Sequence, residues 1–434
     1  MSLRKLIQRL DDSGQLVRIQ APISRDFEAA GVLKKLEPRP VLFERVQGSA
    51  FPVAGNLLCS KAAFAEYFGI QPSQIIPTLT RAIQQRQPCQ QVTFAPCQEV
   101  VQAQPSLDSL PILRHCFGDG GAYISSGVVI ASHPRYGQNV DFHRGMQFSA
   151  REMALRVVRG RHFDAFLSDL GQVDVAICIG CPPGVLVAAA TSVELGVNEL
   201  EIAAALEPLP VVRARTVDVW VPAEAEFVLE GTVYQERRHA EGPFVDLTET
   251  QDIVRQEPVF ELKALTHRQD AVWQALLPGG LEHKLLMGMP REPVIYQKVN
   301  EVVRCLDVNV TPGGASWLHA VVQIDKRADD DGVKAIQAAF AGHSSCKHVF
   351  VVDADIDIYN PLEVEWALAT RFQGDADLLI KPKERGSSLD PSAEAGSHLT
   401  TKIGFDLTKP LKTQGKSFER IAFPPVDLDR FLKG

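Results

Sequence analysis

The 434-residue chain has no apolar run long enough to cross a bilayer, no excess of basic charge, and no cysteine spacing that reads as a zinc or disulfide framework. Each absence excludes a class of function. A membrane span needs about 18 or more consecutive apolar residues. The nearest approach, VDVAICIGCPPGVLVAAA, is broken by Pro182, Pro183 and Gly184. A net charge of −8 gives the whole molecule no attraction for phosphate backbones or anionic lipid, so nucleic acid is not an expected partner. A local basic pocket for one small anion remains compatible with that charge. Of the eight cysteines, only Cys178 and Cys181 form a CxxC, set in an apolar β-like run with no second pair. They read as two buried thiols, with redox or metal chemistry as the alternative. The first residues, MSLRKLIQRLDDSGQLVRI, carry Asp11 and Asp12 directly after a short amphipathic run and show no apolar h-region, so a cytoplasmic location is expected.

What is present is the composition of a folded protein, with 45% hydrophobic and 23% charged residues. Single cores stop growing near roughly 250 residues, so the length predicts two or three domains. Residues 1–104 read as a small α/β unit: a helix over Leu3 to Leu10, strands at VRIQ and VLFERV, and helices through KAAFAEYFGI and PTLTRAIQQR. The polar stretch QQRQPCQQVTFAPCQEVVQAQPSLDS is the linker candidate and puts a boundary near residue 105. Residues 105–295 are rich in short β-branched runs, interrupted by predicted helices at SAREMALRVV and NELEIAAAL. Residues 296–434 alternate strand and helix patterns, which predicts an α/β layer. The final segment from TKIGFDLTKP onward has little apolar mass and is expected to pack on other domains or on a partner subunit.

Four clusters in the middle segment interrupt apolar sequence with polar residues. In GDGGAYISSGVVIASHPRYGQNVDFHR, Gly118, Gly120 and Gly121 permit close backbone approach, while Asn139 and Arg144 offer an oxygen ligand and a fixed cation. A plain hairpin turn is the alternative. In REMALRVVRGRHF, read as helix-like, Arg156, Arg159, Arg161 and His162 have the density that binds a phosphate, or else mark a solvated helix end. Glu199 and Glu201 lie on NELEIAAAL, whose apolar face leaves room for one inward carboxylate. In EGPFVD, Glu241 and Asp246 flank a Gly-Pro turn that can bring two carboxylates to one pocket, the usual device for proton transfer.

In this order, the clusters resemble the UbiD family of prenylated-FMN-dependent reversible decarboxylases. GAYISSGVVIASHPRYGQNVDFHR is similar to the family's G-x-Y-I-(S/T) followed by dPxxGxNvgxyR, and ELEIAAALEPLPVV to ELxxAGALxGxPLxVV. EGPFVD is similar to EGPFG(E/D), and VDADIDIYNPLEVEWALATR to VDxDIDxxxxxxVxWALATR. The resemblance implies an α/β (α+β) fold: an N-terminal α/β domain, a central β-barrel-like flavin-binding domain of split-barrel, flavin-reductase-like type, and a C-terminal α/β oligomerisation domain. It implies that Asn139, His162 and Glu199 hold a divalent ion, typically Mn²⁺, with K⁺ beside it. Phe142, His143, Arg144, Arg156, Val157, Val158, Arg161, His162 and Lys347 would line the prenylated FMN. Glu241, Arg144 and Asp246 would form the catalytic network, with Asp246 as proton donor. The chain departs from the family pattern at Asp141-Phe142-His143, at Val245, and at Ala203 to Leu206, which lacks the usual glycine.

The segment LPGGLEHKLLMGMPREPVIY places His283 and Arg291 eight residues apart, with Glu282 beside the first. It resembles the furan-2,5-dicarboxylate decarboxylase branch, because a His and an Arg facing a pocket suit a second carboxylate. An amphipathic helix turn with a surface arginine is the alternative. The expected reaction is therefore loss of CO₂ from an aromatic or heteroaromatic acid, furan-2,5-dicarboxylate to 2-furoate first. A pyrrole, phenolic or isoprenoid-pathway acid, or a non-catalytic flavin-binding subunit, are the alternatives. A flavin prenyltransferase would supply the cofactor, and the resemblance implies a homodimer or homohexamer.

Overall fold

The structure, a computed structural model, describes residues 2–412, 415 and 417–432. The first helix, Leu3–Asp12, starts where the Ser2 hydroxyl accepts the Lys5 N–H, and it buries Leu3, Leu6, Ile7 and Leu10 at helical spacing. A second helix, Glu28–Leu36, was not singled out by its sequence pattern; it buries Ala29, Ala30 and Leu33. The adjoining four-stranded sheet runs Val17–Ile19, Val41–Phe43, Val53–Gly55 and then Trp273–Ala275, a strand that arrives from more than 200 residues downstream.

The central sheet has nine strands. Its path runs from Ala122–Ile124 through Gly145–Gln147, Glu152–Leu155, Arg255–His267, Phe227–Glu241, Gln172–Ile179 and Val128–His133 to Gly137–Phe142, with Val100–Val101 attached to the end of Arg255–His267. Among the described residues this ladder is an open path with those two strands at its ends. Both faces are covered. Along Gln172–Ile179, Val173, Val175, Ile177 and Ile179 enter one core, whereas Ala176 and Cys178 enter another, as the two-residue period of a strand requires. Cys178 and Cys181 are both fully buried in that second core and free, as ordinary core thiols are.

Two expectations are corrected here. SAREMALRVV is not a helix: Glu152–Leu155 is an interior strand, paired with Gly145–Gln147 on one side and with Val259 to Glu261 on the other. Two flanking ladders satisfy its backbone, and Met153, Ala154 and Leu155 are buried, so sheet context outweighs the helix propensity of Glu, Met, Ala and Leu. The chain also enters the middle region before residue 105, because Gln90–Val92 pairs in parallel with Pro210–Arg213. NELEIAAAL is helical, over Glu199–Leu206, after an Asn198 side-chain cap.

The C-terminal sheet runs Cys305–Val310, His319–Ile324, His348–Asp353, Leu399–Asp406 and Leu378–Arg385, with helices Asp331–Gly342 and Pro361–Arg371 packed on it. The start of the tail is thus an interior strand of this sheet rather than a segment resting on other parts, its place set by parallel pairing of Ile403 to Asp406 with His348 to Val351. Among the described residues no helix is long and apolar enough to cross a membrane.

Candidate active site

A cavity of about 1440 Å³ lies between the central sheet and the C-terminal sheet, and the residues on its wall come from both, including Arg144, His162, Glu199 and Asp246 on one side and Trp317, Ser344 and Ser387 on the other. Its most ordered polar feature is built around Arg144, which follows the strand Gly137–Phe142. Arg144 donates from Nε to Glu241 Oε1 at 2.9 Å and from Nη2 to Glu241 Oε2 at 3.2 Å, a two-pronged pair. Nη1 reaches Asp246 Oδ2 at 2.5 Å, and Nη2 also reaches Asp252 Oδ2 at 2.8 Å. The guanidinium lies 4.5 Å from the Phe244 ring centroid. Burial works against its charge, but Glu241 and Asp246 raise the pKa of Arg144 further above its ordinary value.

Local folding delivers these carboxylates. Glu241 ends the long strand Phe227–Glu241 and stands opposite Arg255 in the antiparallel register, after a bulge between Tyr234 and Arg238. The chain then turns at Gly242, with φ +104°, where a Cβ would sit 2.9 Å from the Ile253 carbonyl oxygen. A two-residue ladder follows, pairing Phe244 with Asp252 and Val245 with Gln251. Val245, where the family has glycine, is a β-former on this hairpin. The hairpin carries Asp246 and Asp252 back to the same guanidinium. The glycine-rich loop serves this turn: Gly120 donates its N–H to the Pro243 carbonyl at 2.8 Å, and a Cβ on Gly120 would lie 2.1 Å from the Gly242 oxygen.

The three residues assigned to a divalent ion come together on the cavity wall. Asn139 is 3% exposed, its Oδ1 lies 3.1 Å from His162 Nδ1, and its Nδ2 has no partner. Glu199 is buried, accepts the Val140 N–H at 2.8 Å, and is pushed by burial up to about 8. Glu201, on the same helix, faces outward. Burial keeps His162 below its ordinary value, hence neutral and able to donate a lone pair. A buried carboxyl without a cation, beside a neutral imidazole and an amide oxygen, fits a divalent ion. Among the described residues no group of three or more His, Cys, Asp and Glu is arranged to hold a metal, so this set depends on the amide of Asn139.

Phe142, Val157, Val158 and Arg161 also line the cavity. Arg156 lines it too, but its Nη1 is engaged by Glu257 at 2.7 Å and by the Val157 carbonyl at 2.9 Å. His143 is a wall rather than a free imidazole. Its Nδ1 meets the Arg156 carbonyl at 2.8 Å and its Nε2 lies 2.8 Å from Asp141 Oδ1; burial opposes its charge, yet Asp141 raises its pKa. Lys347 is placed differently. It forms an ion pair with Asp390 at 2.8 Å, beside rather than among the residues on the cavity wall.

His283 and Arg291 both face the cavity, the first from the helix Leu281–Gly288 and the second from the 3-10 turn Met289–Arg291 that follows it. His283 Nδ1 accepts the Gly279 N–H at 3.1 Å, so the neutral ring carries its proton on Nε2, and burial holds its pKa down against the pull of Asp246. Arg291 donates to Ser192 Oγ and stacks 5.0 Å from the Trp317 centroid, but its buried Nε has no partner. Burial, with Arg161 adding to it, lowers Arg291 to about 10. This guanidinium seeks an anion. Glu282 points away, into the N-terminal part, where it accepts the Leu57 N–H at 3.1 Å. Sequence reasoning missed Asp252 and Arg255; the only signal was the β-branched IV in DIVRQ, too short to reveal a return strand.

This geometry, on this fold, is that of a carboxy-lyase. The chain belongs to the UbiD family: the N-terminal, Rift-related and C-terminal domains of 3-octaprenyl-4-hydroxybenzoate carboxy-lyase match residues 7–83, 90–281 and 284–407. Among its relatives, the anhydromevalonate phosphate decarboxylase of Methanosarcina mazei is 42% identical over 98% of this chain and 100% of that protein. That of Methanothermobacter thermautotrophicus is 39% identical over 97% and 99%. Among solved structures, the UbiD-class enzyme HmfF from Pelotomaculum thermopropionicum in complex with FMN superimposes with a TM-score of 0.96 at 37% identity, covering 100% of both chains. An evolved dimeric form of that enzyme, in complex with prFMN, has a TM-score of 0.91 at 35% identity and covers 99% and 100%.

Proposed function

We propose that the protein is a reversible decarboxylase of a conjugated acid that carries a second anionic group, working with prenylated FMN and a divalent ion held by Asn139, His162 and Glu199. The observation that carries this reading is the Arg144 network, one guanidinium gripped in two-pronged fashion by Glu241 and singly by Asp246 on a cavity wall. When bound, a prenylated flavin supplies the electron sink that loss of CO₂ from an sp² carbon requires. The protein's own residues do the rest. Arg144, fixed by Glu241, orients the substrate carboxylate, and Asp246 hands a proton to the carbon that CO₂ leaves. Carbon loses one bond to the carboxylate and gains one to hydrogen, and solvent returns the proton to Asp246.

For the substrate, the relatives favour anhydromevalonate phosphate, whose phosphate would meet Arg291, whose Nε has no partner, and neighbouring Arg161. Furan-2,5-dicarboxylate is the second reading, favoured by His283 near Asp246, which would meet the far carboxylate. Enzyme purified from cells that make prenylated FMN is tested for CO₂ release on both acids, with furoate, pyrrole carboxylate, hydroxybenzoates and cinnamates alongside. Turnover of either diacid is expected. Silence on every acid with the flavin bound would refute the reading. Arg291→Ala is expected to raise KM for the preferred diacid at least tenfold, about 1.4 kcal/mol, and to leave a monoacid within twofold; equal effects would remove Arg291 from the substrate.

A further inference from the structure

We propose that Asp252 and Arg255 set the charge of the Arg144 network and thereby fix the pH range in which Asp246 holds its proton. Both are positioning residues, and the inference rests on the decarboxylase reading above. Asp252 Oδ2 receives Arg144 Nη2 at 2.8 Å and Arg255 Nη1 at 2.6 Å, and its side chain is 10% exposed. Arg255 in turn stands directly across the ladder from Glu241.

Charge counting gives the consequence. Three carboxylates, Glu241, Asp246 and Asp252, share two guanidiniums, Arg144 and Arg255, so the fully ionised cluster carries one excess negative charge and becomes neutral with one proton. In a buried site the neutral state is favoured. The three acids do not compete equally for that proton. Glu241 is 0% exposed and held by two bonds from Arg144. Asp252 lies between both guanidiniums, which hold it down to about 2 against the effect of burial. Asp246 has one bond from Arg144, accepts the Leu247 N–H at 2.7 Å on its other oxygen, and is 17% exposed to the cavity. Asp246 is thus the acid with the weakest grip and the open face.

Apart from Arg238, which is exposed so that solvent screens its charge, the other groups around this acid are already balanced or neutral. On the helix Leu281–Gly288, His283 is kept neutral by burial and Lys284 pairs with Glu249. Arg156 pairs with Glu257 on the strand that carries Arg255. Tyr123, behind Glu241, has its pKa raised by burial and stays un-ionised, and Asp119 is tied to the His115 and Cys116 N–H groups. Arg238 lines the same cavity. None of these is altered by the test variants.

The experiment measures kcat for CO₂ release against pH in wild type, Asp252→Asn, Asp252→Glu and Arg255→Gln, each loaded with cofactor and checked by flavin absorbance. Removing the Asp252 charge leaves the cluster neutral with Asp246 ionised, so Asp246 gives up its proton more readily. The descending high-pH limb should then move down by about one pH unit. Removing Arg255 adds to the excess negative charge and should move the limb up by about as much, while Asp252→Glu restores the wild-type position. A uniform loss of kcat with unmoved limbs in Asp252→Asn and Arg255→Gln would overturn the inference. If Asp252→Asn does not fold, the direction in Arg255→Gln decides alone. Full activity in Asp246→Asn would instead overturn the parent reading.

Discussion

Glu282 is 1% exposed, and burial raises its carboxyl from 4.5 to about 7, although the Leu57 N–H and other backbone donors work the other way. Between these values the folded protein binds more protons than the unfolded chain, so stability falls as pH rises through that window and is flat above it. The shift corresponds to about 3 kcal/mol. Glu282→Gln is therefore expected to flatten the stability profile between about pH 5 and pH 7, measured by urea unfolding, and an unchanged slope would assign that dependence elsewhere. Asp246→Asn should abolish CO₂ release and substrate hydrogen exchange while keeping flavin absorbance, by the role argued above. At this scale legibility followed contiguity. Arg144, Glu241 and Asp246 stood in short motifs that fold onto one another, whereas Asp252 and Arg255 join them only through the pairing of Phe244 with Asp252 and of Glu241 with Arg255. The Lys347 ion pair with Asp390 was not legible, because its partner is brought in by a later loop.

The turn after Phe227–Glu241 is held from outside, by the glycine-rich loop. Gly120→Ala would drive a methyl into the Gly242 carbonyl, 2.1 Å from its Cβ, so the backbone of the turn must give way. Asp246 would shift with the turn. A kcat loss of about a hundredfold is expected, since a misplacement of roughly 1 Å costs that much, and steady-state kinetics beside a melting curve would separate it from simple unfolding. A variant with wild-type kcat would mean that the turn is not held by this contact. The loop's glycines were legible as a close approach, but what they approach was not. The same limit explains SAREMALRVV: its residues favour a helix locally, and only its two neighbouring strands decide otherwise. Helices that meet the sheet along one face, such as Leu3–Asp12, were read correctly because their apolar spacing is intrinsic.

At the scale of the whole chain, the cavity joins distant parts of the sequence, with 142–144 and 156–162 on one wall and 385–389 on the other. A ligand seated there should protect both. FMN at a hundred times its Kd is expected to stabilise the protein by about 2.7 kcal/mol, with hydrogen exchange slowed in 142–144, 156–162 and 385–389 alike; protection of one wall only would place the ligand elsewhere. The strand Trp273–Ala275 has another consequence, for the order in which the protein is made. It forms the last strand of the N-terminal sheet, beside Val53–Gly55, and reaches that place only after the central strands have been laid down. A ribosome adding about 5–20 residues per second holds the first sheet incomplete, with the edge at Val53–Gly55 unpaired, for on the order of ten seconds or more, so the sheet that is first to emerge is completed only after every strand of the central sheet has been made.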